Sequence, residues 1–254
     1  MIGALLRRTR DVAVDSFRIW WLAPVIPLIA VLPEFAQHVA EVRLGMFDSI
    51  EQARAIANDP TRWAFGYAKI AGLVVAILAA IRFWAARRQG VSWLSPQGIA
   101  WRVLALGIGA NIAISVLGSL LESAVAGLTD TAAVAITSLF TLATLPLIIL
   151  VVAGFAGDRE ASLRSVYITG WPATLRILAF SALVIAPLMW VHTLNHQWAM
   201  GAPPILLWAL MIFDSLVVGL LAVGWGTAIE HCYRPLGDDD RSDSVSQTGI
   251  IVPT

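Results

Sequence analysis

A single cysteine, Cys232, stands in a chain of 254 residues, which excludes an intrachain disulfide or a thiolate metal cluster. Charge is nearly as scarce: 13% of the residues are Asp, Glu, Lys or Arg, and the formal net charge is zero. No global field therefore points to nucleic acid or an acidic substrate. With 58% hydrophobic content and a mean hydropathy of +0.77, the chain has too little polar surface to cover a water-soluble globule of its size. Lipid is the solvent for most of it. Known chemical signatures are missing too: there is no GxxxxGK(S/T) loop, no GxGxxG after a strand, no HExxH, no GxSxG elbow, and no serine–histidine pair at depth. Neither ATP use nor covalent catalysis is indicated, and no cofactor is implied. No repeat of fixed period is present.

What the chain has is six long apolar runs, at about 19–37, 62–84, 99–122, 131–155, 172–192 and 204–230. Each is near the roughly 20 residues that a bilayer core requires. The cations sort by side. Arg7, Arg8, Arg10, Arg18, Arg82, Arg87, Arg88, Arg102, Arg159, Arg164, Arg176, Arg234 and Arg241 fall on one side, and only Arg43, Arg54, Arg62 and Lys69 on the other. This positive-inside pattern puts both termini in the cytoplasm. Trp20, Trp21, Trp63, Trp84, Trp101, Trp171, Trp190, Trp208 and Trp225 fall near span ends, where indole rings favour the headgroup zone.

The expectation is an all-α polytopic membrane protein: a bundle of six transmembrane helices over 19–233, preceded by an amphipathic interfacial helix over 1–18. Ile2, Leu5, Leu6, Val12, Ala13, Phe17 and Trp20 recur at helical spacing in that first helix, with Arg7, Arg8, Asp11, Asp15 and Arg18 elsewhere around the turn. Short surface helices are expected near 46–57 and 160–169. Ser95-Pro96 reads as the start of the third span, and Thr129-Asp130 as that of the fourth. The polar stretch 234–254 lacks the apolar content to pack and is expected to be disordered.

Asp214, about ten residues into the last run, is the most conspicuous polar residue at depth. A carboxylate there requires a polar interior, a partner or a proton. It reads either as a proton or cation site or as a buried hydrogen-bonded group fixing helix register. Gly107, Asn111, Ser115, Gly118 and Glu122 form one small or polar stripe, Thr137, Thr141 and Thr144 another, and Ser215, Gly219, Ala222 and Gly226 a third. Close helix packing is their ordinary role, and a polar cavity lined by Asn111, Thr141 and Asp214 the sharper one. Lys69 either reaches Asp214 or snorkels outward. On the outer side, Glu34 and His38 at i,i+4 with Glu41 three further on, and His192 with His196 at i,i+4, each present ligand-type groups on one helical face. A metal site needs two such segments to converge, which spacing alone does not establish, so no metal is assigned.

Gly157-Asp158-Arg159-Glu160, followed by Ala161-Ser162-Leu163-Arg164-Ser165-Val166-Tyr167-Ile168-Thr169-Gly170-Trp171 and a span with Arg176 in its first turn, resembles the corresponding segment of uncharacterised six-helix bacterial inner-membrane proteins. These are akin to the membrane domain attached to some glycerophosphodiester phosphodiesterases. The resemblance implies a six-span inner-membrane domain with cytoplasmic termini and carries over no catalytic residue. The phosphodiesterase domain has no counterpart here, so its activity is not inherited. Together these readings give the expectation of a non-enzymatic bacterial inner-membrane protein of structural, lipid-associated or accessory role, in contact with membrane lipids and with a protein partner or a second copy. The alternative is a small transporter or channel using Asp214, Asn111, Lys69 and Thr141.

Overall fold

The computed structural model describes residues 2–235; the tail expected to be disordered lies, from residue 236 onward, outside the described residues. Every regular element described is helical. In chain order these are α1 (Ile2–Leu22), α2 (Val25–Arg43), α3 (Ile50–Ala55), α4 (Pro60–Arg88), α5 (Trp101–Val125), α6 (Asp130–Thr144), a 3₁₀ turn (Leu145–Leu147), α7 (Ile148–Ala156), α8 (Leu163–Ile168), α9 (Trp171–Ala199) and α10 (Pro204–Tyr233). Six segments are long and apolar enough to cross a membrane: α2, α4, α5, α6 with α7, α9 and α10. The protein is thus an all-α polytopic membrane protein.

Proline sets two of the interruptions, because it lacks the N–H of the helical ladder and crowds the preceding turn. Pro24 follows the end of α1, so the first span begins at Val25 and not near 19. Pro146 sits in the 3₁₀ turn that divides the fourth span into α6 and α7. Ser95-Pro96 does not start α5, which begins at Trp101 with Ala100 before it. The Ser95 hydroxyl instead accepts from the Gln97 backbone at 3.2 Å, closing a local turn.

The described residues divide into two compact units, one of residues 2–81 with 179–231 and one of 82–178 with 232–235. In the first, helices approach through small residues. A Cβ on Gly72 would lie 2.7 Å from the Ile29 carbonyl, and one on Gly226 2.5 Å from the Ile77 carbonyl. Ala30, Ala76 and Ala222 form the buried cluster between α2, α4 and α10. Such contacts let backbones close together where apolar burial offers little drive, as in lipid. The buried stripe of α1 is Arg8, Val12, Ser16 and Ile19, while Ile2, Leu5, Leu6 and Phe17 of the expected apolar face are exposed. The helix therefore presents two faces. Ser16 Oγ lies 3.3 Å from where a Cβ on Gly224 would stand, so the small residues seat α1 on α10 and leave its large apolar side chains outward.

In the second unit, Gly107 and Gly154 let α5 and α7 touch: their Cβ positions would fall 2.7 Å from Val151 N and 2.6 Å from Leu104 Cα. Arg82 donates to the carbonyls of Ser95 and Gln97, each at 2.8 Å, and fixes the connection before α5. A reciprocal cap between Ser162 and Ser165 starts α8. Ile112, Val116, Leu120 and Leu139 are exposed. Each would cost about 1.5–3 kcal/mol to leave in water relative to burial, so lipid is their solvent.

Candidate metal centre

Helical spacing alone assembles two half-sites. On α2, Glu34, Gln37, His38 and Glu41 stand at intervals of three and four and share one face. All four are buried, with Glu34 and His38 fully so. On α9, His192 and His196 are one turn apart near the helix end, their rings 4.6 Å between centroids. Asp214 enters from α10, fully buried. Asn195, also fully buried, donates to the Leu210 carbonyl at 2.7 Å and so ties α9 to α10 one turn from the aspartate.

The three histidines converge on one oxygen. Asp214 Oδ2 lies 3.0 Å from His38 Nε2, 2.8 Å from His192 Nδ1 and 3.3 Å from His196 Nε2. Glu34 Oε1 is 3.4 Å from His38 Nε2. Ligand atoms bound tetrahedrally at about 2.0–2.1 Å are separated by edges of about 3.3 Å, so each of these distances suits donors that share an ion as well as an ion pair. Two ligand-type groups follow, His38 with His196 and Asp214, and Glu34 with His192 and Asp214; within each, all the ligand atoms lie within 4.8 Å of one another.

The hydrogen bonding is incomplete in a telling way. Only His38 makes a hydrogen bond to Asp214; His192 Nδ1, His196 Nε2, Asp214 Oδ1 and Glu34 Oε2 are buried with no hydrogen-bond partner despite the short distances. A buried polar atom left unsatisfied costs about 1–3 kcal/mol, so four together call for a ligand that takes lone pairs.

Around this core the supporting side chains are tied to one another, although Gln37 Oε1 and Asn195 Oδ1 are buried without a hydrogen-bond partner. His38 Nδ1 faces Glu41 Oε2 at 3.3 Å. With a cation bound, a proton kept on Nδ1 would donate to Glu41, and Nε2, which here is hydrogen-bonded to Asp214, would give up its proton and turn its lone pair to the ion, the carboxylate–histidine pairing that orients metal-binding imidazoles. Glu41 Oε1 accepts from Gln37 Nε2 at 3.0 Å and from Arg62 Nε at 2.9 Å. Lys69 Nζ donates to Glu34 Oε1 at 2.8 Å. Three carboxylates, Glu34, Glu41 and Asp214, thus face two fixed cations, Arg62 and Lys69. This leaves one excess buried negative charge, which a single protonated imidazole, or a divalent cation carrying one hydroxide, would balance.

The residues singled out in the sequence separate. Lys69 joins the cluster through Glu34, and Asp214 lies at its heart. Asn111 and Thr141 belong to the other unit. Asn111 Nδ2 donates to the Gly107 carbonyl at 2.8 Å, and Thr141 Oγ1 to the Thr137 carbonyl at 2.9 Å, so each is satisfied within its own helix. The histidines and glutamates, noted as pairs but given no site, are the groups that Asp214 meets. The signal available was two i,i+4 ligand pairs and a lone deep carboxylate near the same ends of their runs; their convergence is a tertiary property.

Comparison of the chain with protein-family models, with curated proteins and with solved structures gives no match.

Proposed function

We propose that this is a metalloprotein of the bacterial inner membrane, with cytoplasmic termini, in which His38, His196 and Asp214 hold a zinc-type divalent cation whose remaining position takes a water that it activates for hydrolysis, with Glu34 and His192 beside it. The observation that carries the reading is the meeting of three imidazole nitrogens at one Asp214 oxygen, with two of those nitrogens buried and unbonded. Imidazole and carboxylate donors suit zinc, whose bound water ionises near neutral pH. Glu34, anchored through Oε1 by Lys69 and with Oε2 unengaged, is the base that takes the water's proton. An accessory role gives no reason for so costly a cluster in a membrane span. A conduction path through Asn111 and Thr141 draws no support from side chains bonded within their own helices.

The test is metal content of the full chain purified in detergent, measured by plasma mass spectrometry after zinc loading and dialysis. Zinc is expected at a stoichiometric level in the wild type and to be lost from Asp214→Asn and His196→Ala. A wild type that retains no metal, or variants that retain it fully, overturn the reading.

A further inference from the structure

The donor atoms of the centre fall into two sets of three that share a single residue. His38, His196 and Asp214 form one and Glu34, His192 and Asp214 the other, with the ligand atoms of each set within 4.8 Å of one another. Resting on the metal reading above, we infer that the second set holds a second divalent cation, so that the centre is dinuclear and the Asp214 carboxylate bridges its two ions. Each ion then has three protein ligands and one position for water, the arrangement of catalytic zinc. A bridging carboxylate with one shared water sets such ions about 3.5–4 Å apart, close enough for both to act on one oxygen.

What a single cation leaves unsatisfied carries the argument. An ion on the first set, bound through Asp214 Oδ2, leaves His192 Nδ1, Glu34 Oε2 and Asp214 Oδ1, all buried without a hydrogen-bond partner. These are one atom from each member of the second set. Glu34 and Asp214 are fully buried, and buried polar atoms of this kind require a partner. Two of the three are carboxylate oxygens, which accept and do not donate, so they cannot satisfy each other. A second electron-pair acceptor satisfies all three at once. Lys69 holds Glu34 by Oε1 at 2.8 Å and leaves Oε2 to that acceptor.

Charge ranks the two sites. The first ion with its hydroxide balances the carboxylates against Arg62 and Lys69, so the second ion enters against repulsion and binds more weakly. A hydroxide shared by both ions offsets part of that repulsion. Glu34 changes role with occupancy: it is the base while the second position is empty and a ligand once it is filled. The shared water then ionises under two cations and needs no carboxylate to take its proton.

The experiment equilibrates the full chain in detergent with zinc buffered at stepped free concentrations and measures bound zinc per chain by plasma mass spectrometry. Manganese loading with electron paramagnetic resonance is the second readout. The wild type is expected to reach two zinc ions per chain in two steps, the second needing free zinc at least about ten-fold higher. Its manganese form should show the exchange coupling of neighbouring ions. His192→Ala and Glu34→Gln should stop at one zinc, and the retained first step certifies the folding of each. A wild type that stops at one, a second zinc retained by either variant, loss of both ions from either variant, or a manganese pair without coupling overturns the inference and leaves the metal reading standing. Absence of zinc from the wild type removes the metal reading itself.

Discussion

Glu41 lies behind His38, and its role depends on geometry at the scale of single atoms. It fixes the ring through Nδ1 while Gln37 and Arg62 fix it in turn. Loss of such an orienting carboxylate typically weakens metal binding by about 10–100-fold, so Glu41→Gln should lower zinc affinity by that amount in a chelator competition, whereas Asp214→Asn should abolish binding. Equal zinc affinity in Glu41→Gln and wild type would remove Glu41 from the supporting shell. Part of this was legible in the sequence, since the intervals Glu34, His38, Glu41 and His192, His196 follow from the helical repeat alone. The partner of Lys69 was not. Side-chain reach allowed Asp214 or the headgroups, and the choice of Glu34 depends on how α4 lies against α2.

Among the elements, α1 shows how an amphipathic helix is fastened to its neighbours. Asp15 Oδ2 lies 2.9 Å from His231 Nε2, and His231 Nδ1 3.0 Å from Glu230 Oε2. Burial raises the Asp15 carboxyl, but the hydrogen bond and charge of His231, with those of Arg18, outweigh it and hold the group below its ordinary value of 3.8. Because the folded-state value is the lower one, the contact's contribution is full above the ordinary value and is lost as pH falls through the depressed one. The protection of residues 2–22 against hydrogen exchange, corrected for the intrinsic pH dependence of exchange, should therefore fall as pH drops below about 4. Asp15→Asn should raise exchange in that segment at neutral pH and leave α9 unchanged. Identical exchange in the two proteins would show that the seat of α1 is steric alone. The amphipathic character of α1 was plain from its sequence; which stripe turns inward was decided by Gly219 and Gly224, where Trp20 and Ser16 lodge.

For the whole molecule, the arginine sorting gives the orientation its test. With Cys232 buried as the natural thiol, Asn58→Cys should react with an impermeant maleimide in intact cells, and Val91→Cys only after permeabilisation; the reverse pattern would invert the proposed topology. In that proposed topology the proposed metal centre lies toward the outer side, beside the ends of α2 and α4 that carry Arg43 and Arg62. Composition and hydrophobic run length by themselves determined the solvent, the all-helical class and the six spans, because a backbone in lipid must satisfy its polar groups within each segment. That constraint is local, and a sequence displays it. The tertiary structure alone decided that α2, α9 and α10 bring one carboxylate and three imidazoles to a single point. Gly219 against Val31 of α2 and Gly224 against Val184 of α9 set how closely α10 approaches those helices, and that approach, not any spacing along the chain, makes separate polar residues into a site.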